Sequence, residues 1–91
     1  MGSAAYERAM QEFGRNLRKA RVRAGFKSAQ GFAKMMGIEP PTYRTYERGE
    51  AEPGFESLLR ICLALRITLN DLFHQGQVQF SPKGDTVDPT P

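Results

Sequence analysis

The apolar residues of this chain recur at three- and four-residue intervals, the spacing of amphipathic helices rather than strands. Tyr6, Met10, Phe13, Leu17, Ala20 and Ala24 fall on one face of a first helix predicted over residues 4–24, with Arg15, Lys19 and Arg23 projecting elsewhere. Gly25 suits its end. Ser28 is a good N-cap ahead of Phe32, Ala33 and Met36, and Gly37 closes that second helix, with Ile38 expected to be buried in the turn. A third helix spans about 40–48, closed by Gly49, and Pro53-Gly54 marks the loop that follows. Phe55, Leu58, Cys62 and Leu65, with Leu59 and Ile61 alongside, predict an apolar fourth helix. Thr68 and Asp71 form a variant capping box before a short fifth helix carrying Leu69, Leu72 and Phe73. The fold class is therefore all-α: five short helices within one domain, residues 4–74. Residues 75–91 are rich in Gly, Pro, Gln and Asp and read as a mostly disordered, flexible tail. Within it, residues 78–80 (Val-Gln-Phe) could form a short dimerisation strand.

The third helix opens unusually, on Pro40 and Pro41. Proline there loses no helical hydrogen bond, because the first amides of a helix have no internal partner, and it presets φ. It also removes amides that could hold an anion. At about 100° per residue, Tyr43, Tyr46 and Glu47 share one side, and both tyrosines read as core residues rather than stacking platforms. The other side carries Pro41, Arg44, Thr45 and Arg48, with Thr42 at its flank. A threonine offers a hydroxyl to a base and a methyl to thymine. Arg44 can pair bidentately with guanine, worth about 1–3 kcal/mol of discrimination. Arg48, nearer the C-terminal end, is better placed for a phosphate.

Charge sharpens that picture. From Arg8 to Arg48, ten Lys/Arg stand against three acidic residues, a net of +7; from Gly49 onward three basic residues face six acidic ones, a net of −3. A basic half on a small domain points to a polyanionic partner, nucleic acid or an anionic membrane surface, with a merely solvated helix face as the equal alternative on charge alone. The 91 residues, mean hydropathy −0.51, include no apolar run long enough for a membrane span. Cys62 is the lone cysteine and His74 the lone histidine, so neither an internal disulfide, a metal cluster nor a catalytic constellation is built from them. No cofactor, metal or enzymatic activity is expected, and Cys62 reads as a small buried side chain in an intracellular protein.

Two short helices around a glycine turn, the second with a polar outer face, have the form of a helix-turn-helix. Residues 13–73 resemble the Cro/repressor-type helix-turn-helix family, also called the XRE family. The resemblance is carried by FGRNLRKAR at Phe13–Arg21, SAQGFAKMMGI at Ser28–Ile38, TYRTYERGEAEP at Thr42–Pro53 and SLLRICLALRITLNDLF at Ser57–Phe73. It implies a repressor-like DNA-binding domain whose third helix reads bases in the major groove, here with Pro40, Pro41, Thr42, Arg44 and Thr45. It implies DNA-backbone contacts at the start of the second helix, here Ser28, Ala29 and Gln30, where free amides and the helix dipole converge; Lys27 adds charge. It also implies a structural ion pair between Glu47 and Arg21. Three departures stand out. Ala29 occupies the position where the family usually has Gln, with Gln30 following. Prolines replace the usual polar residues at the first two reading positions. Arg66 stands where glycine is usual, so that turn is expected to be slightly strained.

The resemblance implies a sequence-specific transcriptional regulator of double-stranded DNA, a repressor by expectation, acting in the cytoplasm on the nucleoid. It further implies a homodimer on a near-palindromic operator. The exposed apolar end at Leu69, Leu72, Phe73, Val78 and Phe80 is the expected dimer contact. The alternative is a protein-interaction module, such as an antitoxin, whose tail binds a partner protein while the folded part binds DNA.

Overall fold

The structure is a computed structural model and describes residues 3–73. The expectations for His74, for the tail at 75–91 and for a strand at 78–80 lie outside the described residues.

Five helices follow in the expected order: α1 Ala4–Arg23, α2 Ala29–Met36, α3 Pro40–Glu47, α4 Phe55–Leu65 and α5 Leu69–Leu72. No strand occurs among the described residues. The starts follow from side chains that satisfy orphan amides. Ser3 Oγ accepts the Tyr6 amide, Ser28 Oγ accepts the Gly31 amide at 3.0 Å, and Thr68 and Asp71 form the reciprocal capping box. α3 has no side-chain cap: its N-cap residue is Glu39 rather than a short hydroxyl or Asx side chain, and prolines occupy its first two positions.

Four helices end alike, with one residue turned into the left-handed conformation. The following amide then bonds back to a carbonyl of the last turn: Phe26 to Arg21, Ile38 to Ala33, Glu50 to Thr45 and Ile67 to Cys62, at 2.9–3.1 Å. Gly25, Gly37 and Gly49 supply the left-handed residue in three. In the fourth it is Arg66 at φ 59°, the one non-glycine residue with positive φ among those described. The strain expected at that turn is present.

α2 packs on α3, α1 lies across α3 and α5, and α4 backs α2. The core joins Phe13, Leu17 and Ala20 of α1 to Phe32 and Ala33 of α2, the two α3 tyrosines, Ile61, Cys62 and Leu65 of α4, and Leu72 of α5. Ile38, expected to be buried, sits half-buried at its edge.

Several expected core residues lie outside. Tyr6 and Ala24 are exposed because α1 has 20 residues and α3 only eight; at 1.5 Å per residue α1 outruns its partner at both ends. Tyr6 instead donates its hydroxyl to Glu52. Phe55 and Leu59 are also exposed, since Leu58, Ile61, Cys62 and Leu65 form the row of α4 that meets the core. Leu72, expected at an exposed apolar end, is fully buried, with Leu69 and Phe73 partly exposed around it. α5 is held there by Asn16, whose Nδ2 donates to the Leu72 carbonyl at 2.7 Å. The same amide lies 3.4 Å from buried Glu12, which also takes Arg15 at 2.6 Å.

Candidate nucleic-acid interface

The site depends first on how α3 is held. Its inner side has Tyr43 with no accessible surface and Tyr46 buried beside it. A run of rings leads to them: Phe26 to Phe32 at 5.0 Å, Phe32 to Tyr43 at 5.5 Å, Tyr43 to Tyr46 at 6.1 Å. Edge-to-face packing of this kind favours a fixed geometry. Glu47, on the same side, receives Arg21 Nε at 2.7 Å and Nη2 at 3.2 Å, and Tyr43 Oη at 2.6 Å. Arg21 Nη1 also donates to the Phe26 carbonyl at 2.7 Å.

The Arg21 and Glu47 side chains are only 5% and 10% exposed, so the forked pair acts in a partly desolvated setting where charge-assisted bonds are strong. Burial first, then the Glu47 hydrogen bond and charge, hold the Tyr43 phenol well above its ordinary value. It stays protonated, as a donor must. The Glu47 hydrogen bond also raises Arg21.

Two glycines let α1 and α3 touch. A Cβ on Gly14 would strike the Glu47 carbonyl and come within 2.9 Å of the Gly49 nitrogen; one on Gly49 would lie 2.8 Å from the Met10 carbonyl oxygen. Backbone meets backbone here, so no larger residue fits without separating the helices.

The outer side of α3 carries far fewer ties. Thr42 is exposed. Arg44 is half-buried and its Nη2 donates to Gln30 Oε1 at 3.2 Å, linking α3 to the start of α2. Thr45 is half-buried and donates its hydroxyl proton to the Thr42 carbonyl at 2.6 Å. Its oxygen is then left to accept, with the methyl beside it. Pro41 is exposed at the tip. Arg48 pairs with Glu50 at 3.1 Å, both about half exposed, a weak surface contact of the kind worth about 0–1 kcal/mol.

The two helix starts differ in kind. At α2, Gly31 and Phe32 amides bond to Ser28, while those of Ala29 and Gln30 have no partner within the helix. Ala29 itself packs against the core edge, so its amide rather than its side chain faces out. Lys27, next to the cap, is exposed and in no ion pair among the described residues. At α3 the Tyr43 amide already bonds the Glu39 carbonyl at 2.9 Å, and only Thr42 retains a first-turn amide. α2 thus presents an anion-attracting start, and α3 a stiff apolar tip followed by polar side chains.

Sequence reasoning did not find the Tyr43–Glu47 bond, the Gln30–Arg44 link, or the roles of Gly14, Glu12 and Asn16. For Gly14 there was a signal, a glycine inside a helical pattern, which usually marks a close approach. For Gln30 and Arg44 there was none.

Comparison with known proteins adds a second line of observation. The helix-turn-helix family HTH_3 matches residues 17–72. The chain is 34% identical over 68 residues to the uncharacterized HTH-type transcriptional regulator YonR, derived from the SPbeta prophage of Bacillus subtilis (strain 168). That match covers 75% of this chain and 62% of the relative. Among solved structures, the clp gene regulator ClgR from C. glutamicum superposes with a TM-score of 0.63 at 26% identity, over 71% of this chain and 82% of that one. The SOS-response transcriptional repressor LexA from Eubacterium rectale superposes with a TM-score of 0.68 over 92% of this chain and 88% of that one. At 20% identity it is a likeness of fold alone.

Proposed function

The chain belongs to the Cro/repressor-type helix-turn-helix family, and from that premise we propose that it is a sequence-specific, double-stranded DNA-binding transcriptional regulator acting as a repressor. In this reading α3 lies in the major groove. Thr42, Arg44 and Thr45 read base edges, and Pro41 sets how closely the tip approaches. Arg44 supplies donors to guanine, Thr42 a free hydroxyl, and Thr45 an acceptor and a methyl. The α2 start, with Lys27, the Ser28 cap and the Ala29 and Gln30 amides, holds a phosphate; Arg48 takes another once Glu50 releases it. Gln30 joins the two contacts, since it fixes the Arg44 guanidinium from the helix that holds the backbone. Arg21 and Glu47 have no DNA role beyond fixing the pose of α3.

The observation that carries this reading is the outer row of α3, polar and accessible on a helix whose inner side is immobilised. The basic half of the chain agrees with it, since phosphate contacts supply most sequence-independent affinity. The operator is a near-palindrome read by two copies, with half-sites about one DNA turn apart, roughly 34 Å. No helix of the described residues is long and apolar enough to cross a membrane.

Selection of bound sequences from a random duplex pool, repeated at two salt concentrations, tests the proposal. The expected outcome is enrichment of a two-fold motif whose preference survives the higher salt while overall affinity falls. Binding that is salt-sensitive but enriches nothing would overturn it.

A further inference from the structure

α4 leaves a row of large apolar side chains uncovered. Phe55, Leu59 and Leu63 stand four residues apart and are 75%, 47% and 70% exposed, flanking the row that meets the core. A spacing of four advances about 40° per step, so the three make one slanting stripe. The outer face of a helix that serves only its own domain is ordinarily polar, and a contiguous apolar patch marks an interaction surface.

The border of the stripe points to the occupant. Glu56 and Arg60 run alongside it, one acid and one base, 3.9 Å apart. That edge is electrically balanced and can face a copy of itself without repulsion. The outward side of α1 cannot, since Arg8, Arg18, Lys19 and Arg23 are exposed there and in no ion pair among the described residues.

We propose that the Phe55–Leu59–Leu63 stripe is where two copies of this chain meet, α4 against α4 in antiparallel register, when they occupy neighbouring half-sites; the proposal rests on the DNA-binding reading above. A two-fold contact is self-complementary. It brings Leu59 to its own counterpart on the axis, Phe55 to the partner's Leu63, and Glu56 toward the partner's Arg60. The α5 end, where Leu72 is buried but Leu69 and Phe73 are exposed, lies outside this contact. The three side chains offer on the order of 300 Å² per copy, well short of the ~800 Å² per partner of a standard interface. The dimer is therefore weak in free solution and is completed on DNA, where binding of the first copy raises the effective concentration of the second.

Leu63→Glu is the decisive variant, because its position is exposed and its fold is checked by circular dichroism and Tm. On a duplex with two half-sites wild type binds cooperatively, and the variant loses at least tenfold in affinity and the cooperativity. On a duplex with one half-site the two bind equally. Leu59→Cys, made with Cys62→Ala, cross-links on oxidation on the two-site duplex, whereas Leu69→Cys in the same background does not. Unchanged cooperativity in Leu63→Glu, or cross-linking through Leu69→Cys, overturns the proposal and assigns the stripe to some other protein. Sedimentation at about millimolar protein without DNA keeps the two readings apart: weak self-association removed by Leu63→Glu supports the surface, its persistence overturns it, and failure of wild type to bind one half-site overturns only the DNA reading.

Discussion

The two sides of α3 are built from the same eight residues and behave as different materials. Inward, Tyr43 and Tyr46 are buried and ring-packed, and the half-buried Glu47 carboxylate takes three hydrogen bonds from Arg21 and Tyr43. Outward, Thr42 is free, Arg44 leans on one amide oxygen and Thr45 bonds only to its own helix. The inner side decides whether and at what angle the helix stands on the domain. The outer side contributes little to that, so its residues can change to suit a base sequence without loss of the fold.

Breaking the inner side should have the largest effect. Glu47→Ala leaves the Arg21 guanidinium buried without its partner, which costs about 3–5 kcal/mol. Against the roughly 5–15 kcal/mol total of a small domain, chemical denaturation should show a much reduced midpoint and a substantially unfolded population. The paired change Arg21→Met with Glu47→Leu should recover most of that loss, because an apolar pair of similar volume carries no stranded charge.

Gly14→Ala comes next. Its methyl would meet the Glu47 carbonyl and the Gly49 nitrogen, and prising α1 from α3 should cost about 1–3 kcal/mol, even though alanine favours helix at an ordinary helical position. A thermal melt that rises instead would show the contact to be slack.

Arg44→Ala probes the outer side. Stability should move by no more than about 0.5 kcal/mol, while discrimination at one base pair per half-site falls by about 1–3 kcal/mol. Competition titrations with single-base variants of the selected site would measure it. Equal loss on specific and random DNA would remove Arg44 from base reading. The smallest effect lies away from α3: Arg66→Gly relieves the left-handed turn at φ 59° and should stabilise by about 1 kcal/mol. That is a rise in Tm of about 4–8 °C for a domain of this size, with DNA affinity unchanged.

The sequence made the helices legible because their ends are local chemistry. Ser28, the Thr68–Asp71 box, Gly37 and Gly49 act within one turn, and each does in space what its spacing implied. The inward turn of the α3 tyrosines was legible for the same reason, being a matter of 100° steps along one helix. Burial was less legible, because it depends on where a partner ends. Tyr6 and Phe55 sit on plausible apolar faces, yet nothing among the described residues covers them fully. Polar residues at contacts between distant segments were hidden altogether. Asn16 reaches Leu72 across 56 positions and Arg44 reaches Gln30 across 14, and no local pattern encodes either meeting. Gly14 lies between these cases: its presence in a helix hinted at a close neighbour without saying which.

The separation of the two sides can be tested in one comparison. Wild type and a Thr42→Ala, Arg44→Gln, Thr45→Ala variant are each used to select sites from the same random duplex pool, and the Tm of both is recorded. Changed bases within an unchanged half-site spacing, at a Tm shifted by no more than a few degrees, is the predicted result. An identical selected motif, or a variant that no longer folds, would contradict it.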